Sequence, residues 1–190
     1  GEDLRNGLLE LIRDGPVVVE EETILILLLS CLRAHQGALD YVVDNGIMTG
    51  LTSGGKPTGK FGPNDNITRG QVATVLYRMA GEPFTYEDSP FTDVPARKYY
   101  AEAVQWCYEQ GIVSGYKKNG KLTGKFGPDD NVTREQLAKM LSGYASFEGY
   151  GIGSNQHAAS SINGWGNVTA YARGPIAWCV DMGILSGKII

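Results

Sequence analysis

One repeat, preserved almost letter for letter, limits what this chain can fold into. Gly46-Ile47-Met48-Thr49-Gly50 is followed by Gly59-Lys60-Phe61-Gly62-Pro63-Asn64-Asp65-Asn66-Ile67-Thr68-Arg69. The pattern returns as Gly111-Ile112-Val113-Ser114-Gly115 and Gly124-Lys125-Phe126-Gly127-Pro128-Asp129-Asp130-Asn131-Val132-Thr133-Arg134. Both blocks recur at an offset of 65 residues (46 to 111, 69 to 134), with no insertion between them. A partial third copy stands at Gly183-Ile184-Leu185-Ser186-Gly187. Self-similarity at a fixed period means one supersecondary unit stacked on copies of itself, each covering its neighbour's apolar face. Such stacks place binding surfaces between neighbours rather than in one catalytic pocket.

Each unit reads as helix, glycine turn, loop, helix. The first helix is clearest in the second copy, Lys98 to Gln110, where Ala103, Val104, Trp106 and Cys107 make an apolar stripe. Gly111 is placed as its C-cap residue, with Ile112 tucked behind it. The matching segments are residues 38–45 and 171–182, stopped by Gly46 and Gly183, and Pro175 delays the start of the last. The second helix begins at an N-cap threonine, Thr68 or Thr133. Gln71 and Gln136 complete capping boxes, and Ile67 and Val132 occupy the staple position. Apolar residues then recur at Val72, Val75, Leu76 and Met79, and at Leu137, Met140, Leu141 and Tyr144. Helices of this length are not stable alone, so both must pack.

Residues 81–97 connect the first two units and contain Pro90-Phe91-Thr92-Asp93-Val94-Pro95 at the entry to the next helix. Residues 146–169 are rich in Gly, Ser and Asn and read as irregular. Residues 1–36 do not repeat: a short helix around Leu8 to Ile12, an extended stretch at 17–19, and a strongly apolar helix at 20–34.

Composition removes several classes of function. The chain of 190 residues carries a net charge of −4, which argues against nucleic acid or an anionic membrane as partner. Its longest apolar run, Thr23 to Leu32, is half of the roughly 20 residues needed to cross a bilayer. The acidic start, Gly1-Glu2-Asp3, is unlike a signal peptide, so any export segment is expected to lie outside this sequence. Cys107 and Cys179 follow Trp106 and Trp178 at equivalent positions, and Val42 stands there in the first copy. A buried apolar role is therefore expected rather than a disulfide or a metal ligand.

No metal or cofactor is expected. The loops at 64–66 and 129–131 lack the alternating carboxylates and distal Glu of an EF-hand, and His35 and His157 have no partner at ligand spacing. No Gly-x-Ser-x-Gly, phosphate loop or His-Glu-x-x-His occurs. Carboxylates in runs such as Glu20-Glu21-Glu22 or Asp129-Asp130 point apart rather than forming a glycosidase pair. The chain reads as non-catalytic.

With the repeats laid out, the chain resembles an S-layer homology module. The resemblance rests on Phe91-Thr92-Asp93-Val94, Ala103-Val104-x-Trp106, Gly111-Ile112-x-x-Gly115, Phe126-x-Pro128 and Val132-Thr133-Arg134-Glu135-Gln136-Leu137-Ala138, in the family's order and spacing. It covers about residues 37–187. It implies an all-α fold: three helix-loop-helix repeats (37–81, 90–146 and a partial 165–190) as a pseudo-threefold spindle around a central three-helix bundle, with 1–36 as a separate helical segment. The implied role is anchoring at the bacterial cell wall or S-layer, by binding secondary cell-wall polysaccharide, often pyruvylated, in grooves between repeats. Other surface proteins are the implied further partners, with no insertion into a membrane. The alternative is a degenerate module for protein interaction or surface assembly without sugar binding.

Carried over by position, the resemblance nominates Arg69 and Arg134 for the acidic sugar, with Glu135 and Gln136 beside the latter and Asp93 as a groove-lining partner or a cap of the following helix. A guanidinium fork matches the carboxylate of a pyruvate ketal, and both arginines sit just past an N-cap, where the helix dipole favours an anion. Trp106 (or Trp178) offers a face to a sugar ring, although its place on an apolar stripe also fits the core. Some positions depart from the family. Gly70 stands where Ala or Glu is expected, neither Thr-Arg motif ends in Glu, and the first copy lacks Phe-x-Asp-Val. The third copy stops short of its Phe-x-Pro and Thr-Arg pieces, and the helix at 20–34 is a candidate to fill that vacancy.

Overall fold

The computed structural model describes residues 42–53, 56–60, 62, 65–153, 163–182 and 184–185. The readings made for residues 1–36, including the helix at 20–34, lie outside them. The chain divides into two compact units, Gly1–Asp65 and Asn66–Ile190.

In the first unit residues 42–44 are helical, and Val42 and Ile47 are buried on either side of Gly46. A hairpin follows: β1 (Thr52–Ser53) pairs antiparallel with β2 (Lys56–Pro57). Its root is closed by the Leu51 N–H on the Lys60 carbonyl (2.7 Å) and by the Thr58 N–H and hydroxyl, both donating to the Leu51 carbonyl.

The second unit contains α1 (Arg69–Met79), α2 (Ala101–Glu109), a hairpin of β3 (Lys117–Lys118) and β4 (Lys121–Leu122), α3 (Arg134–Phe147) and α4 (Arg173–Asp181). Two 3-10 turns, Trp165–Asn167 and Ala170–Ala172, lead into α4. Both capping boxes form. Thr68 Oγ1 accepts from the Gln71 N–H (3.3 Å) while Gln71 Oε1 accepts from the Thr68 N–H (2.8 Å). Thr133 and Gln136 repeat the exchange at 3.2 Å each way. Helix α2 ends as read: Gly111 takes φ 68°, and Ile112 donates its N–H to the Cys107 carbonyl at 2.8 Å. This is the double-bonded left-handed cap that glycine permits.

Helix α1 packs on α2, and α3 packs on α4, so the second helix of one repeat covers the first helix of the next. The two junctions share one contact. Cys107 Sγ lies 3.8 Å from the Ala73 carbonyl, and Cys179 Sγ lies 4.0 Å from the Ala138 carbonyl, one repeat further on. Both thiols are free and buried, and burial raises both, Cys179 to about 12.

The all-α expectation is corrected in one respect: the architecture is helix-rich, with two small antiparallel hairpins among the described residues, one at 52–57 and one at 117–122. The second hairpin turns on Asn119 (φ 53°) and Gly120 (φ 77°), and two successive positive φ values are what a type I′ turn requires. Trp106 is also settled as core. It is 1% exposed and lies against Tyr77, Tyr144 and Phe147, with ring centroids 5.8, 6.5 and 5.0 Å away. It offers no open face to a sugar, and Trp178 is likewise buried.

Candidate ligand-binding site at Arg69

The first turn of α1 lies along the loop of the next repeat. Val132 donates its N–H to the Ile67 carbonyl (3.0 Å), Arg69 to Asp130 (2.9 Å) and Gly70 to Pro128 (2.8 Å), forming a short antiparallel bridge between Thr68 and Asn131. Gly70, the departure from the family pattern, is explained here. A Cβ at this position would stand 2.9 Å from the Pro128 carbonyl oxygen and 3.1 Å from the Tyr100 ring.

This pairing draws the Arg69 side chain under the loop. It is 5% exposed, and its Nε–H donates to the Phe126 carbonyl at 2.8 Å. The guanidinium carbon lies 4.7 Å from the centroid of Tyr116 and 4.5 Å from that of Phe126, so two rings flank the cation. Burial pulls the guanidinium below its ordinary value, against the opposing influence of Tyr116, Asp130, Tyr171 and Asp93. Among the described residues, the Phe126 carbonyl is the acceptor its side chain finds. A guanidinium carries five N–H donors, and a buried charge with most of them unused is costly unless something pairs with it.

The surroundings come from all over the unit. Tyr116 donates its hydroxyl to Asp130 Oδ2 (2.8 Å), and its phenol is raised first by burial and then by that aspartate. Asp93 does not cap the following helix, whose N-cap is Tyr100. Its Oδ1 accepts from the Phe126 N–H and its Oδ2 from the Gly127 N–H, both at 2.9 Å, so it holds in place the loop that carries the Phe126 ring.

The second Thr-Arg turn is different. Arg134 is exposed at the start of α3. Glu135 points to the third repeat, where its two oxygens accept from the Thr169 N–H (2.9 Å) and hydroxyl (2.6 Å). Gln136 accepts from the Thr133 N–H in its capping box, and its side chain also bonds the Tyr116 hydroxyl. Tyr171, 54% exposed, lies close enough to Glu135 and Arg69 to feel both charges. Of the nominated residues, the structure therefore brings Arg69 and Asp93 against the one loop that carries Phe126, sets Arg134 and Glu135 on the following junction, and sends Trp106 to the core. Tyr116, Phe126, Asp130 and Tyr171 were not nominated as site residues. The Asn119-Gly120 turn signal was the readable sign that a hairpin would hold Tyr116 and Phe126 together.

Residues 33–73 and 90–138 match the S-layer homology domain. The chain is 42% identical over 81 residues to an endoglucanase of Bacillus sp. (strain KSM-635), covering 42% of this chain and 8% of that protein. It is 29% identical over 151 residues to the surface-layer 125 kDa protein of Lysinibacillus sphaericus, covering 80% of this chain and 11% of the relative. It is 31% identical over 90 residues to the cellulosome-anchoring protein of Acetivibrio thermocellus, covering 45% of this chain and 19% of the relative. The chain thus spans less than a fifth of each of these relatives. The two matched segments fall on the first two repeats and agree with the resemblance drawn from the sequence.

Proposed function

We propose that the chain is a non-catalytic anchoring module that holds an acidic secondary cell-wall polysaccharide at Arg69. The observation that carries this reading is a guanidinium that is 5% exposed, flanked by the Tyr116 and Phe126 rings, with one side-chain hydrogen bond among the described residues. Such a group is pre-oriented, largely desolvated and still able to donate. A planar carboxylate, such as that of a ketal-linked pyruvate on a sugar, would pair with its outer edge in the two-pronged geometry that guanidinium favours. The rings fix the plane of the fork, so little side-chain entropy remains to be lost on binding. Tyr171, exposed and near Arg69, supplies a wall for the pyranose ring. The occurrence of the match in a cellulosome-anchoring protein and a surface-layer protein supports an anchoring role.

A protein-docking role is the second reading. It is favoured by the connector between the first two repeats, where Phe84 and Tyr86 are 79% and 84% exposed and pack edge to face. Sedimentation with bacterial sacculi, with and without their secondary polysaccharide, separates the two. Polymer-dependent binding that Arg69→Met removes and Arg134→Ala spares is the expected result. Methionine keeps the apolar stem between the rings and deletes only the charge. Binding that persists in Arg69→Met moves the site elsewhere, and no polymer-dependent binding by the wild type overturns the anchoring reading for those walls.

A further inference from the structure

The two rings that flank Arg69 are the two ends of one hairpin. Tyr116 precedes β3 and Phe126 follows β4. The root is closed tightly: Tyr116 donates its N–H to the Lys125 carbonyl at 2.7 Å. Thr123 donates its N–H and its hydroxyl to the Tyr116 carbonyl at 2.8 and 2.9 Å. Between the rings run Lys117, Lys118, Asn119, Gly120, Lys121, Leu122, Thr123, Gly124 and Lys125, with four lysines and no acid, in a chain whose net charge is −4. All four lysines are exposed, and among the described residues no carboxylate pairs with them. Asp130 lies on the other side of the root and is engaged by the Tyr116 hydroxyl. From Tyr116 to the turn is three residues, or roughly 10 Å of extended chain, which is about one screening length at 0.1 M salt.

We infer that this hairpin is a second contact for a polyanionic chain whose acidic residue is held at Arg69: the lysines take up successive negative groups of the same polymer. The inference rests on the anchoring reading given above, and it adds that the preferred ligand is an extended acidic polymer rather than an isolated acidic sugar. The geometry favours this because the rings that flank Arg69 are the two ends of the lysine-bearing hairpin, so a chain running from Arg69 along the hairpin meets positive charge at once. The corresponding hairpin of the first unit has Leu51 at the Tyr116 position, with Lys56 and Lys60 as its basic residues over the matching span.

The test uses two probes: a purified pyruvylated cell-wall polysaccharide, and a methyl pyranoside bearing a single pyruvate ketal. Binding of the whole chain to each is measured over a range of salt concentrations, for wild type, Lys117→Gln/Lys118→Gln/Lys121→Gln, the matching triple Arg variant, and Arg69→Met. Exposed ion pairs contribute about two- to fivefold each. The Gln variant should therefore bind polymer about tenfold more weakly, with a flatter salt dependence, and bind the single sugar within twofold of wild type. The Arg variant should retain polymer binding, and circular dichroism checks that each variant is folded. Unchanged polymer affinity in the Gln variant, or equal losses on both probes, overturns the hairpin inference while Arg69→Met still reports on the contact at Arg69. If Arg69→Met weakens neither probe but the Gln variant still loses polymer, the Arg69 reading fails and the hairpin stands as a polyanion contact on its own.

Discussion

Thr68-Arg69-Gly70-Gln71 and Thr133-Arg134-Glu135-Gln136 are the same helix start written twice, and they do different work. The threonine and glutamine form the same capping box in both, within a few tenths of an ångström. The arginines diverge: Arg69 is buried beneath the loop of the following repeat, whereas Arg134 is exposed. The residue after each arginine decides how closely the next repeat approaches. At position 70 glycine lets Pro128 and Tyr100 close in, while at 135 glutamate reaches outward to Thr169. The cap is thus a local property of four residues, but the fate of the arginine is set by what the neighbouring repeat can bring to it.

Exchanging the residues after the arginines should break the comparison most severely. Gly70→Glu makes the first turn like the second in sequence, but its Cβ meets the Pro128 carbonyl oxygen at 2.9 Å and the Tyr100 ring at 3.1 Å. Backbone oxygen cannot retreat without opening the bridge, so a loss of about 3 kcal/mol is expected, as for an overpacked core. The reverse exchange, Glu135→Gly, loses two hydrogen bonds to Thr169 and puts a glycine in the first turn of α3, a cost of about 1 kcal/mol. Urea denaturation of both variants measures the asymmetry. Equal midpoints would mean that the two junctions are packed alike.

A smaller effect is expected at Asp93, which has no direct contact with Arg69 but anchors the loop that covers it. Asp93→Ala strips the acceptors from the Phe126 and Gly127 N–H groups, and a loss of about 2 kcal/mol is expected for two charge-assisted bonds to partly buried donors. If the loop positions the arginine, ligand affinity at Arg69 should fall as well, although Asp93 lies on the connector. Unaltered affinity with lowered stability would limit Asp93 to a structural role.

The elements most visible in the sequence were those fixed by local chemistry. Thr68 and Thr133, each followed three residues later by Gln, announced both second helices to the residue. Gly111 marked the end of α2, and the Trp-Cys pairs marked buried faces. Boundaries without such chemistry were read too generously: α2 begins at Ala101 rather than Lys98, and α4 begins at Arg173 after a 3-10 turn. The site was only half legible. Arg69 could be named because it follows a cap, but its burial arises from backbone bonds to Pro128 and Asp130, some sixty residues away, and nothing local encodes such a pairing. Gly70 looked like the loss of a motif residue and is instead the requirement of that close approach.

The finest test of the comparison is the titration of the phenols that border the two junctions. Tyr116 and Tyr171 are both raised above the usual tyrosine value, first by burial. Arg69 pulls both downward, as do the neighbouring side chains of Gln136 for the former and Thr169 for the latter. A phenol raised in the folded state favours folding while it is neutral. That contribution is fully present below the unfolded value of about 10 and is lost as pH rises through the folded value. Arg69→Met removes one of the downward influences on each phenol, so both should titrate later and the alkaline loss of stability should run on to higher pH. The shift should be larger for Tyr116, whose ring lies 4.7 Å from the guanidinium. Phenolate absorbance followed in wild type, Arg69→Met and Arg134→Met would show it, with Tyr116→Phe and Tyr171→Phe assigning the signals. If Arg134→Met moved Tyr116 as far as Arg69→Met does, the two arginines would share one electrostatic environment, and the distinction between a buried and an exposed copy of the motif would collapse.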